Sequence, residues 1–232
     1  MKKQSKGKCR LCGKEYTKAS MVRHISTCNK QKNELDKPVN GKETGYFGLT
    51  ISGTYAKNYW LITAFREDAT LKDVDQFLRD IWLECCGHLS AFRIERTSYE
   101  SHPDATGEYR KPVKGMNYTL KNLLKKGMVI GYEYDFGSTT ELTIQVSDYR
   151  IGKETKEKFT ILSRNNPVEY VCDECGEKKA TVACSDCIYD GAGLLCDDCK
   201  TEHECGEDAL MDVCNSPRFG VCGYEGSSKY PD

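Results

Sequence analysis

Alternation of apolar and polar residues is concentrated in the middle of the chain, over residues 45–165. The segment Tyr59–Phe65 (YWLITAF) is rich in aromatic and β-branched residues, which favours a strand. The alternating segments Met128–Asp135 and Glu141–Val146 flank a short polar turn and therefore predict a β-hairpin. Two further strands are predicted over His88–Ile94 and Phe159–Leu162.

An amphipathic helix is predicted after the first strand, because apolar residues recur at helical spacing from Leu71 to Trp82. Thr70 and Asp73 have the spacing of a capping box, and Gly87 ends the helix. A second, short helix is predicted over Tyr118–Lys126. The elements together predict an α+β domain over residues 45–165, with a helix packed on a mostly antiparallel sheet.

The cysteine content changes this picture, since the 232 residues include 14 cysteines and twelve of these lie near the two ends. The sequence has no apolar run of the length of a membrane span, and its basic start lacks the apolar segment of an export signal. We therefore expect a cytoplasmic protein without membrane partners, whose thiols stay reduced and serve as metal ligands rather than disulfides.

Residues 1–30 have the ligand spacing of a zinc finger. A Cys-x2-Cys pair is followed by a His and a Cys four residues apart, which lie on one face of a helix predicted over Lys18–Cys28. Tyr16 and Met21 stand at the two core positions, and Thr17 is the expected helix cap. The pattern resembles a ββα finger in its Cys-Cys-His-Cys form, with a central loop one residue short. The predicted ligands are Cys9, Cys12, His24 and Cys28.

Residues 1–32 hold ten Lys/Arg and one acidic residue, a net charge of +9. This predicts contacts with nucleic-acid phosphates, for which the candidates are Arg10, Lys14, Lys18 and Arg23. A single finger reads only about three base pairs, so such binding would be weakly specific and sensitive to salt. A finger that contacts protein, or that is purely structural, is the alternative.

Residues 166–226 carry the densest cysteine pattern, three Cys-x-x-Cys pairs followed by a His and a Cys. Eight ligands suit two tetrahedral zinc ions, which brings the total expected for the chain to about three. Cross-brace pairing, as in B-box-like fingers, would place Cys172, Cys175, Cys196 and Cys199 at one ion and Cys184, Cys187, His203 and Cys205 at the other. Sequential pairing of neighbouring pairs is the alternative, and Cys214 or Cys222 could replace Cys205.

This C-terminal region has few large apolar side chains to offset an ordering cost of about 1–2 kcal/mol per residue. Structural zinc, worth about 10–16 kcal/mol in small domains, is therefore expected to hold it folded. Residues 172–214 hold three Lys against twelve acidic residues, a net charge of −9, which favours a protein partner over nucleic acid. The acidic region could also bind the basic finger, in the same chain or in a second copy.

The remaining segments carry weaker predictions. Residues 31–44 are polar and aperiodic and are interpreted as a linker, and residues 227–232 as a tail. Cys85 and Cys86 are expected to pack in the core, and no catalytic residue is assigned. Asp135 is expected to bond the backbone of its own turn. A possible ligand groove would be lined by Trp82, His88, Phe92, Asp135 and Phe136.

Two segments, LRDIWLECCGHLSAFRI (78–94) and YEYDFGSTTELTIQV (132–146), resemble the signatures of the plasmid pRiA4b ORF-three-like family. The resemblance covers residues 45–165, and NSPRFGVCGY (215–224) is similar to the end of zinc-bearing members. It implies an α+β domain and a link to mobile elements, but no established activity. Many members continue the second signature with Asp, an aromatic residue and His, where this chain has Ser138, Thr140 and Leu142.

Three functions follow from these observations. The first is a non-enzymatic zinc protein that is nucleic-acid-associated or regulatory. The second is a protein–protein adaptor in which all zinc is structural. The third is an enzyme or small-ligand binder that uses the groove of the middle domain.

Overall fold

The structure is a computed structural model that describes residues 4–28, 41–103 and 113–231. The chain forms two compact units, one of Met1–Phe77 with Leu89–Asn166 and the other of Leu78–His88 with Pro167–Asp232. Most of the predicted linker, residues 31–40, and the last residue of the predicted tail lie outside the described residues. In the described ranges no helix is both long and apolar enough to span a bilayer.

The first unit contains, in its described part, a nine-stranded antiparallel sheet with the order β2-β1-β9-β4-β3-β8-β7-β5-β6. The expectation of an α+β fold with a mostly antiparallel sheet is therefore confirmed. The strands are β1 (Lys6–Cys9), β2 (Glu15–Thr17), β3 (Glu43–Gly53), β4 (Trp60–Arg66), β5 (Ser90–Ile94), β6 (Thr97–Glu100), β7 (Val129–Tyr134), β8 (Thr140–Lys153) and β9 (Phe159–Asn165).

Strand β3 lies at the centre of this sheet and was not predicted. It pairs with β4 on one side and with β8 on the other over most of its eleven residues. Most of its residues are buried, so the strand shows little of the alternation that identifies a half-exposed strand. Its first two residues, Glu43 and Thr44, fall in the segment interpreted as a linker.

The predicted amphipathic helix is present as α2 (Leu71–Leu78), which continues into a wider π-helical turn at Arg79–Leu83. The capping box forms as expected, because the backbone N–H of Thr70 donates to Asp73 Oδ2 (2.7 Å) and that of Asp73 donates to Thr70 Oγ1 (3.2 Å). The second predicted helix shrinks to a single turn, α3 (Leu120–Leu123).

Helix α2 packs on the sheet through aromatic side chains. The Phe77 ring lies 5.5 Å from that of Phe65 on β4 and 4.6 Å from that of Phe159 on β9. A buried carboxylate adds a polar anchor, since Ser90 Oγ and Tyr132 Oη both donate to Asp75 Oδ1, at 2.6 and 2.7 Å. These contacts fix the helix over the middle of the sheet.

The N-terminal hairpin extends the same sheet. Strand β1 pairs with β2 and also, antiparallel, with β9 through Gly7↔Asn165, Lys8↔Arg164 and Cys9↔Ser163. Helix α1 (Lys18–Thr27) follows the hairpin, as the sequence predicts, although Thr17 makes no side-chain capping bond in the structure.

The finger and the sheet share one apolar core. Met21 and Ile25 of α1 belong to the same buried cluster as Tyr46 of β3 and Trp60 of β4. Other buried members of the cluster are Cys9, Cys28, Ile62, Ala64 and Leu162. The ββα finger is thus packed against the sheet through this shared core and is not a separate module joined to it only by the chain.

The second unit has little regular structure. A small sheet of order β11-β10-β12 consists of β10 (Val182–Cys184), β11 (Leu194–Leu195) and β12 (Leu210–Asp212). Short 3-10 turns lie at Ile188–Asp190, Cys199–Glu202 and Glu207–Ala209. The buried residues around this sheet are largely cysteine and alanine, with Val182, Leu195 and Met211.

The end of the helical segment belongs to this second unit and is tied to the C-terminal residues. Ser216 Oγ donates to the carbonyl oxygen of Trp82 at 2.6 Å, and the Trp82 side chain is fully buried. The Lys229 ammonium lies 2.5 Å from an oxygen of Asp80. The segment Leu78–His88 and residues 216–229 therefore form one packed region.

Candidate metal centres

Among the residues that the structure describes, four groups of Cys and His side chains could each hold a metal ion, because within each group the ligand atoms all lie within 4.8 Å of one another. Zinc bonds of about 2.3 Å to sulfur and about 2.0–2.1 Å to nitrogen place tetrahedral ligands about 3.8 Å (S···S) and about 3.6 Å (S···N) apart. The groups are Cys9, Cys12, His24, Cys28; Cys172, Cys175, Cys196, Cys199; Cys184, Cys187, His203, Cys205; and Cys85, Cys86, His88, Cys222.

The first group lies in the finger and unites the four ligands predicted there. Cys9 ends β1, and a tight turn closed by the Gly13 N–H to the Cys9 carbonyl (2.8 Å) brings Cys12 beside it. Helix α1 supplies His24, whose Nε2 lies 3.2 Å from Cys12 Sγ. The Tyr16 ring stacks on the imidazole at 4.6 Å and holds its orientation.

The electrostatics of this group suit a cation. Burial raises the pKa of the Cys9 thiol, whereas a backbone N–H at Lys14 lowers the pKa of Cys12. Two adjacent sulfurs with unequal pKa values ionise one after the other, and the second ionisation is opposed by the first charge. A divalent metal relieves that repulsion.

In the second unit the structure brings together the ligands that cross-brace pairing predicts. Cys175 Sγ lies 4.0 Å from Cys196 Sγ, which joins the first and third Cys-x-x-Cys pairs. Cys187 Sγ lies 3.6 Å from Cys205 Sγ and 3.7 Å from His203 Nε2. These separations are close to those of a tetrahedral zinc site.

The two possible substitutes for Cys205 lie elsewhere. Cys214 is buried, and its sulfur approaches the carbonyl oxygen of Tyr224 at 3.9 Å. Cys222 belongs to the group around Cys85. Sequential pairing would require the first two Cys-x-x-Cys pairs to meet, and the structure groups neither with the other.

Local turns explain how so short a chain presents these thiols. The N–H of Gly176, with φ +69°, donates to the Cys172 carbonyl at 3.0 Å and closes the first turn. Cys184 ends β10, and its N–H donates to the Gly193 carbonyl at 2.8 Å. Each pair of ligands is therefore set by one turn or one strand end.

The thiol pKa values separate widely within both groups. Burial opposes ionisation of Cys172, yet backbone N–H groups at Cys175 and Cys196 lower its pKa to about 6. The hydrogen bond with Cys196 raises the pKa of Cys199 to about 12, and the bond with Cys205 does the same for Cys187. The last thiols of each group lose their protons readily only when a cation is bound.

The fourth group was not predicted. Cys86 is exposed and Cys85 is half-buried, so the expectation that both pack in the core is wrong. Cys86 Sγ lies 3.8 Å from Cys222 Sγ, and His88 Nε2 lies 3.6 Å from the same sulfur. The chain separation of 136 residues between Cys86 and Cys222 gives no spacing signal. The only sequence signal for this group was that Cys85 and Cys86 had not been assigned to any of the predicted zinc sites, and Cys222 only as a substitute for Cys205.

The candidate phosphate-binding residues differ in exposure. Arg10, Lys14 and Arg23 are exposed, whereas Lys18 is half-buried and donates to Ser52 Oγ at 3.4 Å. Burial, and then the nearby Lys57 ammonium, lower the pKa of Lys18. Two clefts lie between α1 and the sheet. One is lined by Lys18 and Lys57. The other is lined by Arg23, Lys126 and Arg150.

The residues of the possible ligand groove are divided between the two units. Trp82 and His88 belong to the second unit, and Phe92, Asp135 and Phe136 to the first. Phe92 is buried, and Phe136 is partly exposed. Asp135 adopts φ +64° and accepts the Gly137 N–H at 3.0 Å, which confirms its role in its own turn. The groove stays a prediction.

Comparison with known proteins adds a family and a distant structure. The family model described as "Plasmid pRiA4b ORF-3-like protein" matches residues 56–188, which include the two segments that resemble that family. No curated protein matches. A solved structure of a protein of unknown function from Methanosarcina mazei Go1 is 16% identical, over 51% of this chain and 68% of that one, with a TM-score of 0.44.

Proposed function

The chain belongs to the plasmid pRiA4b ORF-3-like protein family, and we propose that it is a non-enzymatic binding protein stabilised by structural zinc. Three ions would occupy the finger group and the two cross-brace groups of the second unit. Each group supplies four soft or borderline donors, the set that Zn²⁺ prefers. Four protein donors leave no position at which a substrate could coordinate, which favours a structural over a catalytic role.

The observation that carries this proposal is the shared core of the finger. Met21 and Ile25 of α1 are buried against Tyr46 and Trp60 of the sheet, and Cys9 and Cys28 lie in the same cluster. A metal at these cysteines would hold α1 against the β1–β2 hairpin, and the hairpin in turn pairs with β9. The finger would then be a metal-stabilised part of the first unit rather than a separate module.

Zinc content of the full chain tests the proposal. We expect at least three zinc ions per chain by mass spectrometry, and one fewer in each of the variants Cys12→Ser, Cys175→Ser and Cys187→Ser. Cys214→Ser is the matched control, since this buried thiol lies in none of the four groups. Unchanged zinc content in the three ligand variants would rule out structural zinc at these sites.

Nucleic acid is the macromolecular partner that the finger favours, since Arg10, Lys14 and Arg23 present exposed cations. Packing of α1 on the sheet places Lys18 in a cleft, so base reading by the whole helix is disfavoured and backbone contact is favoured. Binding would be weakly specific and would fall steeply with salt. The reduced thiols and this partner are both compatible with the proposed cytoplasmic location.

A mobility-shift titration at increasing salt tests this second proposal. We expect the triple variant Arg10→Ala/Lys14→Ala/Arg23→Ala to lose most of the affinity and to reduce the salt slope by about 2–3. The control is the triple variant Lys72→Ala/Lys121→Ala/Lys156→Ala, which removes three other exposed cations of the same unit. Equal losses in both triples would show that only net charge matters. No shift at low salt would leave the protein–protein adaptor, with the exposed acidic surface of the second unit as its contact.

A further inference from the structure

We propose that Cys85, Cys86, His88 and Cys222 bind an additional zinc ion, and that this ion exchanges more readily than those at the other groups. The distances fit a tetrahedral site. Cys86 Sγ and Cys222 Sγ are 3.8 Å apart, against about 3.8 Å for two thiolates on one zinc, and Cys222 Sγ and His88 Nε2 are 3.6 Å apart, against about 3.6 Å. A disulfide would require about 2.05 Å between sulfurs.

The loop that carries three of the ligands is held in place by its own hydrogen bonds. Arg79 Nη1 donates to Glu84 Oε2 at 2.8 Å, and Glu84 Oε1 accepts the Gly87 N–H at 2.6 Å. Arg79 Nη2 donates to the His88 carbonyl oxygen at 2.7 Å. The π-helical turn and its arginine thus present Cys85, Cys86 and His88 on a preformed loop. Such outer contacts are what orient ligands at metal sites.

The fourth ligand comes from an equally constrained segment. Ser216 Oγ donates to the Trp82 carbonyl oxygen and accepts the N–H of Arg218 at 2.9 Å, which fixes the chain just before Cys222. Cys222 itself adopts φ +53°, a left-handed conformation that a non-glycine residue rarely adopts. The sulfur is thereby directed at the Cys86–His88 loop.

Charge supports a metal at this position. Zinc with three thiolates and a neutral imidazole carries a net charge of −1. The Arg218 guanidinium is fully buried, and its Nη2 lies 3.4 Å from Cys85 Sγ. At this distance the guanidinium stabilises the negative charge of a Cys85 thiolate, as the outer contacts of metal sites do.

Exposure distinguishes this group from the others. Each of the other three groups contains at least one fully buried thiol: Cys9 and Cys28, Cys172 and Cys196, and Cys184. In the Cys85 group none of the four ligands is buried, and Cys86 and Cys222 are exposed. A chelator can therefore displace every ligand of this group from the surface, whereas each of the other groups, although Cys175 and Cys205 are exposed, also holds its ion through at least one buried ligand that is released only when part of the fold opens.

Zinc counting and release kinetics on the full chain test the inference. The zinc-loaded protein is desalted and mixed with the colorimetric chelator 4-(2-pyridylazo)resorcinol. We expect one equivalent to be released in a fast phase and the rest slowly. Cys86→Ser and Cys222→Ser should each lose one equivalent together with the fast phase. Cys214→Ser, which removes a thiol outside every group, should behave as the wild type.

Retention of the slow equivalents in these variants shows that the second unit still folds, so a lost fast phase is not a folding artefact. The variant His88→Cys keeps four donors and should keep the ion, with a stronger thiolate charge-transfer band after Co²⁺ loading. The inference is overturned if Cys222→Ser binds as much zinc as the wild type, or if all zinc leaves in one slow phase. The comparison of Cys222→Ser with wild type is independent of how many of the other groups bind.

Discussion

At the scale of single residues, Asp75 is the carboxylate on which the packing of α2 depends. It is buried, and one of its oxygens accepts hydrogen bonds from both Ser90 and Tyr132. We expect Tyr132→Phe to lower the free energy of unfolding by about 1–3 kcal/mol, because a buried acceptor loses a donor while the ring and its packing remain. Urea denaturation in zinc-containing buffer measures the change.

The matched control is Tyr55→Phe, since the Tyr55 side chain is 85% exposed. Removing its hydroxyl group should change stability by less than about 0.5 kcal/mol. If the two variants were equally stable, the hydrogen bond to Asp75 would contribute nothing beyond what solvent supplies to an exposed tyrosine.

Residue spacing reveals ligands that are close in sequence and hides those that are not. The members of each Cys-x-x-Cys pair of the second unit are three residues apart and lie at one turn or one strand end, so they could be assigned to one site from the sequence. Cys222 reaches Cys86 only through the fold of residues 216–222 against the π-helical turn. No local pattern encodes that contact, and the adjacent cysteines were therefore expected in the core.

At the scale of elements, the contact between β1 and β9 decides whether the finger is part of the sheet. Gly7 of β1 faces the Arg164 carbonyl oxygen and the Trp60 ring, and a Cβ at this position would collide with both. We expect Gly7→Val to separate β1 from β9 at a cost of about 1–3 kcal/mol. Hydrogen exchange of β9 amides should accelerate roughly 5- to 150-fold in consequence.

The neighbouring exchange Lys8→Val is the control for this prediction. Lys8 is exposed on the same strand, so a valine there keeps the β propensity without the collision. Should Gly7→Val leave exchange in β9 as slow as Lys8→Val does, the finger would be held by α1 and its core alone, and the strand pairing would be dispensable.

Elements with a one-sided pattern, or with a composition rich in aromatic and β-branched residues, were predictable, whereas the central strand β3 was not. The helix α2, the hairpin of β7 and β8 and the strand β4 all lie close to their predicted positions. Strand β3 is buried almost throughout and contains three glycines, so neither alternation nor composition identifies it. Its eleven residues become a strand because β4 and β8 pair with it on both sides, which is information that local sequence does not contain.

At the scale of the whole molecule, the two units differ in what holds them together. The first has a nine-stranded sheet in its described part and a core of large side chains, among them Trp60, Phe65, Phe77 and Phe92. In the described part of the second unit, the sheet β10–β12 consists of very short strands, and the residues buried around it are mainly cysteine and alanine. Burial of apolar surface can therefore stabilise the first unit, whereas the region around β10–β12 buries too little of it to offset its ordering cost.

Metal removal should consequently affect the units unequally. We expect a strong chelator such as EDTA to abolish hydrogen-exchange protection in β10, β11 and β12, while β3, β4 and β8 stay protected. Zinc-saturated EDTA is the control, since it has no capacity to bind further zinc, and adding zinc back to the EDTA-treated protein should restore protection. Persistent protection of β10–β12 in a chain shown to be free of zinc would mean that its cysteines pack as ordinary small apolar residues. The opposite net charges of residues 1–32 and residues 172–214 would then be the strongest indication of function in the chain.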